Sequence, residues 1–256
     1  MYDTSLHIDF NVLWLDRWVW ASILNGVLLF LAYSIPVLTA QGSIHSGILG
    51  MLIWGSLGWR GWIPTVIYLF LGSIVTKLGY KYKKKTGIAE RRGGRRGPEN
   101  VWGSASTAAF LALVSIFSDV SLTLVLIGFS ASLASKLSDT FGSEIGKRWG
   151  TKTMLITSFQ LTSPGSEGAI SLEGTLASLL GSTLMTLIMN ICGLISGGTI
   201  LAWVALASFI ATLIESIIGA TLQKKLRFLT NEVVNSFQTL IASFLAVAGC
   251  LIMHLT

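Results

Sequence analysis

The sequence has little charge. Asp, Glu, Lys and Arg make up 12% of its 256 residues, whereas 52% are hydrophobic and the mean hydropathy is +0.70. A chain of this composition cannot bury its apolar surface in one water-exposed core, so part of its solvent must be lipid. This excludes a soluble globular domain, and we expect no nucleic-acid partner.

Cysteine and histidine are also scarce. Cys192 and Cys250 fall in apolar runs without a partner at metal-site spacing, which excludes a disulfide framework and a CxxC metal site. The three histidines have no carboxylate or cysteine companions, so we assign them no role. No basic segment precedes the first apolar run and no Ser/Arg-rich transit segment is present, so we exclude no residues as a targeting peptide.

The sequence contains long apolar runs. Six of them are close to the roughly 20 residues that a spanning helix requires. These six lie at about 19–38, 43–59, 62–79, 172–191, 193–214 and 236–255. Two shorter runs, 101–117 and 120–135, predict a tight helical hairpin, although a long kinked element or a re-entrant pair would satisfy the backbone equally well. The sequence predicts an all-α, polytopic transmembrane bundle of about eight spans.

The basic residues predict the orientation. Sixteen of the eighteen Lys and Arg residues lie in three segments, Lys77–Arg96, Lys136–Lys152 and Lys224–Arg227. Basic residues near helix ends are retained in the cytoplasm, and two predicted spans separate each segment from the next. We therefore expect three cytoplasmic loops and both termini on the opposite side. A bacterial plasma or thylakoid membrane is the expected location.

Composition divides the chain into three parts. Residues 1–79 are expected to form a three-span apolar scaffold, 80–98 a basic cytoplasmic linker, and 99–256 the catalytic region, rich in Gly, Ser, Thr and Ala. Small residues let membrane helices approach closely, which explains most of this change. Attraction of the linker to anionic lipid and phosphate binding by Arg95 and Arg96 remain open as alternatives.

One face of a predicted helix combines small residues with a carboxylate. At about 100° per residue, these residues fall within about 40° of one line: Ser132, Ser135, Asp139, Gly142, Ser143, Gly146 and Gly150. A packing seam explains the glycines but not the acid, which is costly in a membrane unless it meets a cation, a water-filled cavity or a ligand. Glu144 lies about 140° from Asp139, so the two cannot share a metal unless the helix unwinds.

Three further segments carry polar residues at predicted helix ends. The run Ser163–Gly168 cannot continue a helix and precedes the sixth apolar run, where a Gly-rich entry to a helix N-terminus would favour phosphate. An ordinary connector is the alternative. Glu215 lies on a small-residue face of the seventh run, and Asn231 and Asn235 open the eighth. Polar residues inside a bundle are functional candidates, with interhelical hydrogen bonding as the alternative.

Several ordered motifs together resemble a known family. They are RRGPENVWGSASTAA (95–109), SDTFGSEIGKRWG (138–150), TSPGSEGAISLEGTLASLLGS (162–182), ESIIGATLQKK (215–225) and TNEVVNSFQT (230–239). They are similar to the integral-membrane family that contains the phytyl-phosphate kinase of tocopherol synthesis in plants and cyanobacteria. The second and third are also similar to the catalytic region of the CTP-dependent dolichol and phytol kinases.

The resemblance implies a kinase that converts phytyl phosphate to phytyl diphosphate, with CTP as phosphoryl donor and Mg²⁺ as cofactor. Such a reaction needs mainly alignment and charge neutralisation. The catalytic acids would be Asp139, Glu144 and Glu215, with Asp139 and Glu215 on the metal. The nucleotide and phosphate would contact Lys147, Arg148, Arg95, Arg96 and the turn of Gly165, Ser166, Glu167 and Gly168. The substrate or a polar cavity would contact Asn100, Glu173, Asn231 and Asn235.

Two alternatives remain. The first alternative is an enzyme of related activity. It would be a kinase of another prenyl or lipid phosphate, or a cytidylyltransferase that releases pyrophosphate instead of CDP. A protein of another class would transport lipids or small molecules. Transporters commonly contain inverted repeats and paired broken helices, and we find no convincing repeat between the two halves.

Overall fold

The protein is a helical bundle. The computed structural model describes residues 5–32, 37–223, 225–226 and 228–255, with side chains from residue 15 onward except those of 31 and 32. Its helices are α1 Ser5–Ala32, α2 Ala40–Lys77, α3 Tyr80–Lys85, α4 Pro98–Phe117, α5 Leu122–Trp149, α6 Leu172–Ile191, α7 Gly198–Thr221 and α8 Asn231–Ile252. Two short antiparallel strands, β1 Met154–Leu155 and β2 Ala169–Ile170, and a 3₁₀ turn at Arg91–Gly94 lie in the connections.

Helix α2 turns back on itself. Gly58 has a φ of 66° and a ψ of −162°, which breaks the helical path. A Cβ at Gly42 would meet the carbonyl oxygen of Arg96, and one at Gly72 would meet the guanidinium of the same arginine. A straight helix would hold positions 42 and 72 about 45 Å apart. The chain therefore reverses at Gly58, and the two halves correspond to the predicted runs 43–59 and 62–79.

Among the described residues, five helices are long and apolar enough to cross a membrane, namely α4, α5, α6, α7 and α8. A membrane helical bundle is thus confirmed, whereas the count of eight spans stays a prediction. The predicted hairpin around Ser118 and Asp119 is present, since α4 ends at Phe117 and α5 begins at Leu122.

Helix α5 forms the centre of the bundle. It packs against α2, α4, α6, α7 and α8. In its most apolar stretch of 18 residues, 72% is buried inside the bundle, compared with 33–44% in the corresponding stretches of the other four candidate spans. Its small-residue face forms a close seam with α6, because a Cβ at Gly142 would lie 2.0 Å from Ser178 Oγ. The predicted packing seam is therefore real.

Hydrogen bonds fix the neighbouring helices against α5. Ser208 Oγ on α7 donates to the carbonyl oxygen of Ala131 at 3.1 Å, and Gln238 Nε2 on α8 donates to that of Ser135 at 2.9 Å. Each such bond is worth about 0.6 kcal/mol on average in a membrane protein. Their main consequence is positional, because they set the rotation of α7 and α8 about the central helix.

The three connections predicted to be cytoplasmic meet at one end of the bundle. At this end α2, α5 and α7 finish and α4, α6 and α8 begin. Lys224 and Arg227, two of the basic residues expected there, lie outside the described residues. Which side of a membrane this end faces remains a prediction.

Candidate functional site

A polar cavity of about 250 Å³ opens at this end of the bundle. Its walls come from the end of α2, the connection before α4, the last turns of α5 and α7, the connection after α5, and the first turns of α4, α6 and α8. The predicted site residues that line it are Arg96, Asn100, Asp139, Glu144, Lys147, Gly165, Ser166, Glu167, Gly168, Glu215, Asn231 and Asn235. Residues from before position 99 take part too, so the cavity is not confined to the predicted catalytic region.

Asp139 lies in the cavity beside a buried lysine. Its carboxylate forms an ion pair with Lys136, one turn earlier on α5. The Lys136 ammonium also donates to Asn235 Oδ1 on α8 at 2.8 Å. The Asp139 side chain remains 18% exposed and the Lys136 side chain 4%. The acid thus meets two of the three conditions that make an intramembrane carboxylate tolerable, a cation and an open cavity.

Glu144 occupies a different environment. It accepts from Lys83, which reaches in from α3, and from Lys147 Nζ at 3.0 Å. The side chains of Lys83 and Glu144 are 0% and 3% exposed, and Lys83 also donates to the carbonyl oxygen of Thr76 at 2.8 Å. Two ammonium groups therefore satisfy this carboxylate, which favours anchoring of the basic connection over metal binding.

Lys147 joins this network to the connection before α4. Its ammonium donates to Glu90 Oε1 at 2.8 Å as well as to Glu144. Burial opposes ionisation of Glu90, but the charge and hydrogen bond of Lys147, together with the charge of Arg96, hold its pKa below the usual range. Glu90 therefore stays ionised and continues to accept a hydrogen bond from Lys147.

The predicted turn of Gly165–Gly168 forms one wall. Gly165 and Gly168 have φ angles of 83° and 74°, which glycine adopts most readily. A Cβ at Gly168 would lie 2.5 Å from the carbonyl oxygen of Ser216, so the turn packs tightly on α7. The N–H groups of Ser166 and Ala169 close turns within the segment, onto Ser163 and Ser166.

Glu167 brings a further carboxylate to this wall. Burial raises its pKa, and the nearby charges of Asp139 and Glu90 add to that effect, while Lys147 and a hydrogen bond with Asn231 oppose it. The group therefore takes up a proton more readily than an exposed glutamate does. Any phosphate beside it would have the same effect on its pKa, because a second negative charge also favours the neutral acid.

Three helix N-termini face the cavity. Ser171 caps α6 by accepting from the N–H of Gly174 at 3.1 Å, and Thr230 caps α8 by accepting from the N–H of Val233 at 3.4 Å. Asn100, in the first turn of α4, accepts from the N–H of Gly97 at 3.0 Å. The positive end of each helix dipole favours an anion here.

Not every predicted residue reaches the cavity. The guanidinium of Arg148 stacks over Tyr82 and Trp149, at 4.7 Å and 5.3 Å from the ring centroids, on the opposite side of α5. Arg95 Nε donates to the carbonyl oxygen of Arg92 and is exposed. Glu173 accepts from Thr151 outside the cavity wall. The structure therefore does not bring these three predicted residues to the cavity wall.

Arg96 does reach the cavity, unlike its neighbour Arg95. It donates to Tyr68 Oη at 3.2 Å and lies over the same ring, 5.5 Å from its centroid. Its backbone also pairs with that of Leu38, two residues before α2 begins. These contacts fix one cation of the linker at the cavity wall and favour the phosphate-binding alternative for Arg96.

The cavity has more acids than bases. Six acidic side chains line it, namely Glu90, Asp139, Glu144, Glu167, Glu215 and Glu232, against the three cations Arg96, Lys136 and Lys147. Glu215 lies within electrostatic range of both Lys136 and Asp139. In the described part of the chain, no three His, Cys, Asp or Glu side chains converge on one point. Mg²⁺ fits this donor set, since it binds through one or two carboxylates together with substrate phosphates and waters.

Sequence reasoning missed Lys136, Lys83 and Glu90. The apolar run 120–135 ends just before Lys136, so the charge pattern groups Lys136 with the loop residues, although it stands one helical turn before Asp139. That i,i+3 spacing was the available signal. Lys83 and Glu90 are brought to α5 by long-range contacts, and no local pattern marks them.

Comparison with known proteins gives the family. Residues 23–243 match the family described as integral membrane protein DUF92, a range that contains every residue of the cavity wall. No solved structure matches the chain.

Three relatives show how widely the sequence pattern occurs. A membrane protein of Synechocystis sp. is 49% identical over 233 residues, 90% of each chain. Protein VTE6, chloroplastic, of Arabidopsis thaliana is 38% identical over 235 residues, which cover 89% of this chain and 70% of the plant protein. A membrane protein of Methanocaldococcus jannaschii is 32% identical over 208 residues, 81% of this chain and 83% of its own.

Proposed function

Since the chain belongs to the DUF92 family of integral membrane proteins, we propose that it is a membrane-embedded kinase that converts phytyl phosphate to phytyl diphosphate. The proposed donor is CTP with Mg²⁺, and the proposed pathway is prenyl-lipid synthesis leading to tocopherol or phylloquinone. Identity of 38% with the chloroplast protein VTE6 over most of the chain supports a prenyl-phosphate kinase role.

One observation carries the proposal. A polar cavity, lined by three cations, six acids and a Gly-rich turn, opens at the end of a bundle whose outer surface is apolar. An isoprenoid phosphate has the same division, with an anionic head and an apolar tail. The head can enter the cavity while the tail stays in lipid.

The residues present suit phosphoryl transfer. The acceptor phosphate oxygen would form the new bond to the γ-phosphorus of CTP, and the bond between that phosphorus and the β,γ-bridging oxygen would break, releasing CDP. A phosphate acceptor is largely ionised near neutral pH, so no strong general base is needed. Positioning and charge neutralisation are the main requirements.

We assign these requirements to particular side chains. Lys136, Lys147 and Arg96 hold phosphate oxygens, and the N–H groups of the 165–168 turn other than that of Ser166 add neutral donors. Asp139 and Glu215 hold Mg²⁺, which when bound neutralises charge on the transferred group. Glu144 keeps Lys83 and Lys147 in place.

The orientation is part of the proposal. We place the cavity on the cytoplasmic side of a plasma or thylakoid membrane in a photosynthetic bacterium, with eight spans and both termini opposite. Single cysteines at Lys84 and Lys152 should both react only with a reagent that reaches the cytoplasm, and one at Ser118 only with a reagent outside. Labelling of Lys84 and Lys152 from opposite sides would refute the eight-span arrangement.

Purified protein in detergent tests the reaction itself. Phytyl phosphate is offered with Mg²⁺ and each of four nucleoside triphosphates, and the lipid and nucleotide products are followed by mass spectrometry. The proposal predicts phytyl diphosphate and CDP, with CTP as the best donor. Pyrophosphate and a cytidylylated lipid would indicate a cytidylyltransferase, and no product with any donor would favour a transporter.

A further inference from the structure

A second hollow lies on the outer face of the bundle, between α6 and α7. Its volume is about 270 Å³, and eight residues line it: Leu179, Thr183, Thr186, Leu187, Leu201, Ala202, Ala205 and Leu206. Four are leucines, two are alanines and two are threonines. We call this hollow the α6–α7 groove.

The two threonines do not make the groove polar. Thr183 Oγ1 donates to the carbonyl oxygen of Leu179 at 2.8 Å, and Thr186 Oγ1 donates to that of Ser182 at 2.8 Å. Because both hydroxyls are satisfied by their own helix, they leave no unmet donor facing the groove. The wall is therefore apolar throughout, with small side chains at Ala202 and Ala205 between larger leucines.

Along both helices the groove lies within two turns of the polar cavity, on the outward side. On α6, Ser178 lines the cavity and the next residue, Leu179, lines the groove. On α7, Thr212 lines the cavity and Leu206 lines the groove, less than two turns away. From Leu179 to Leu187 the groove runs about 12 Å along α6, away from the cavity and toward the other end of the bundle.

Building on the proposed function, we propose that the α6–α7 groove binds the first part of the isoprenoid tail while the phosphate head occupies the cavity. The acceptor is apolar directly from the carbon that carries its phosphate, so a tail site must begin at the cavity wall. The α6–α7 groove lies beside the cavity, extends away from it along the two helices, and has an apolar lining. A bilayer lipid could touch the same leucines, but without a head in the cavity its chain would not be held there.

Binding is tested first, without reference to turnover. A phytyl phosphate analogue with a diazirine in the tail is photolysed with the detergent-purified protein, and labelled peptides are mapped by mass spectrometry. The groove predicts labels within 179–187 and 201–206, reduced by excess unlabelled phytyl phosphate. Labels on other helices, or labels in the groove that phytyl phosphate does not reduce, would overturn the assignment.

A groove-filling variant then tests the consequence for substrate choice. Ala202→Trp places an indole in the groove, and Leu240→Trp places the same side chain on the exposed face of α8 as a control. Excluding two or three methylenes from an apolar site should cost about tenfold to a hundredfold in affinity. Ala202→Trp should therefore raise the KM for phytyl phosphate by about that factor, with little change for isopentenyl phosphate or for CTP.

The two experiments separate this inference from the proposed function. If wild-type protein transfers phosphate but Ala202→Trp keeps the wild-type KM for phytyl phosphate, the groove is wrong and the kinase stands. If no nucleotide supports transfer but the competed label maps to the groove, the tail site stands and the kinase is wrong. An equal KM increase in Leu240→Trp would also contradict the groove, because that side chain lies elsewhere.

Discussion

The two groups of charged residues along α5 differ in how completely their carboxylates are satisfied. The first group lies in the open part of the cavity, and we call it the inner cluster: Lys136, Asp139, Glu215 and Asn235. Its central acid has one ammonium partner and an 18% exposed side chain. It can accept a further ligand without first losing its only cation.

The second group lies under the basic connection, and we call it the outer cluster: Lys83, Glu90, Glu144 and Lys147. Its central acid has two ammonium partners and a 3% exposed side chain. Breaking a buried pair by removing one partner typically costs about 3–5 kcal/mol, because an uncompensated charge is left behind.

This difference indicates that the inner acid takes part in the reaction, whereas the outer acid stabilises the fold. Both clusters have an acid on the same helix, five residues apart, so residue type alone does not distinguish them. The two acids are distinguished by their access to the cavity and by the number of cations that contact each carboxylate. Changes at the inner acid, Asp139, should affect transfer more than stability, and changes at the outer acid, Glu144, should affect stability more than transfer.

The largest expected effect is on the inner acid. Asp139→Asn keeps the shape of the side chain but removes the charge assigned to the metal, so kcat should fall about a thousandfold, the upper range for loss of one key electrostatic contact. Asp119→Asn, in the α4–α5 connection at the other end of the bundle, is the matched control and should keep wild-type kcat. Transfer at the wild-type rate by Asp139→Asn would remove the inner cluster from the chemistry.

The outer acid should show the opposite pattern. Glu144→Gln leaves buried Lys83 without its carboxylate, so the free energy of unfolding should fall by about 3 kcal/mol, while folded protein keeps kcat within about tenfold. Thermal unfolding in detergent measures the first quantity and initial rates the second. Adding Lys83→Met should recover part of the lost stability, and further loss in the double variant would contradict the pairing.

A smaller effect is expected at the inner lysine. Lys136→Met removes one charge-assisted contact to phosphate, which should lower kcat/KM for phytyl phosphate by about 10- to 100-fold. Arg148→Met removes a cation from the same helix but outside the cavity, and it should leave kcat/KM unchanged. Equal losses in the two variants would mean that only general positive charge matters.

The smallest expected effect concerns pH. The pKa of Glu90 is lowered in the folded state, so its contribution to stability is present above the unfolded value of about 4.3 and is lost as the pH falls through the folded value. The side chain is 48% exposed, and solvent screening limits the contribution to about 0.5 kcal/mol. Glu90→Gln should flatten the acid limb of the stability profile. An unchanged limb would show that the pair with Lys147 adds nothing.

Much of the framework could be predicted from the sequence because membrane constraints act locally. The length of the apolar runs predicted the helices, and the small-residue face around Gly142 predicted a packing seam, which the structure places against α6. The signal failed at boundaries. The apolar run 120–135 stops at the first charge, whereas α5 continues to Trp149, close to the end of the helix predicted from the 132–150 pattern, and its later polar residues face a cavity rather than lipid.

The site was predictable in part for the same reason. Asp139, Glu215 and the 165–168 turn stood out because acids and Gly-rich turns are costly or unusual beside apolar helices. Arg148 does not line the cavity, as helical geometry indicates, since it lies about 180° from Asp139 on α5. The burial of Lys83 against Glu144 joins residues far apart in the chain, and no local pattern reveals such a contact.

One paired measurement tests the central claim most directly. Asp139→Asn and Glu144→Gln are compared with wild type for both transfer of labelled γ-phosphate from CTP to phytyl phosphate and thermal unfolding in the same detergent. We expect Asp139→Asn to transfer phosphate about a thousandfold more slowly than wild type and to unfold at a higher temperature than Glu144→Gln. We expect Glu144→Gln to unfold earlier but to transfer phosphate below its unfolding temperature. A stable, inactive Glu144→Gln beside an active Asp139→Asn would contradict the central claim.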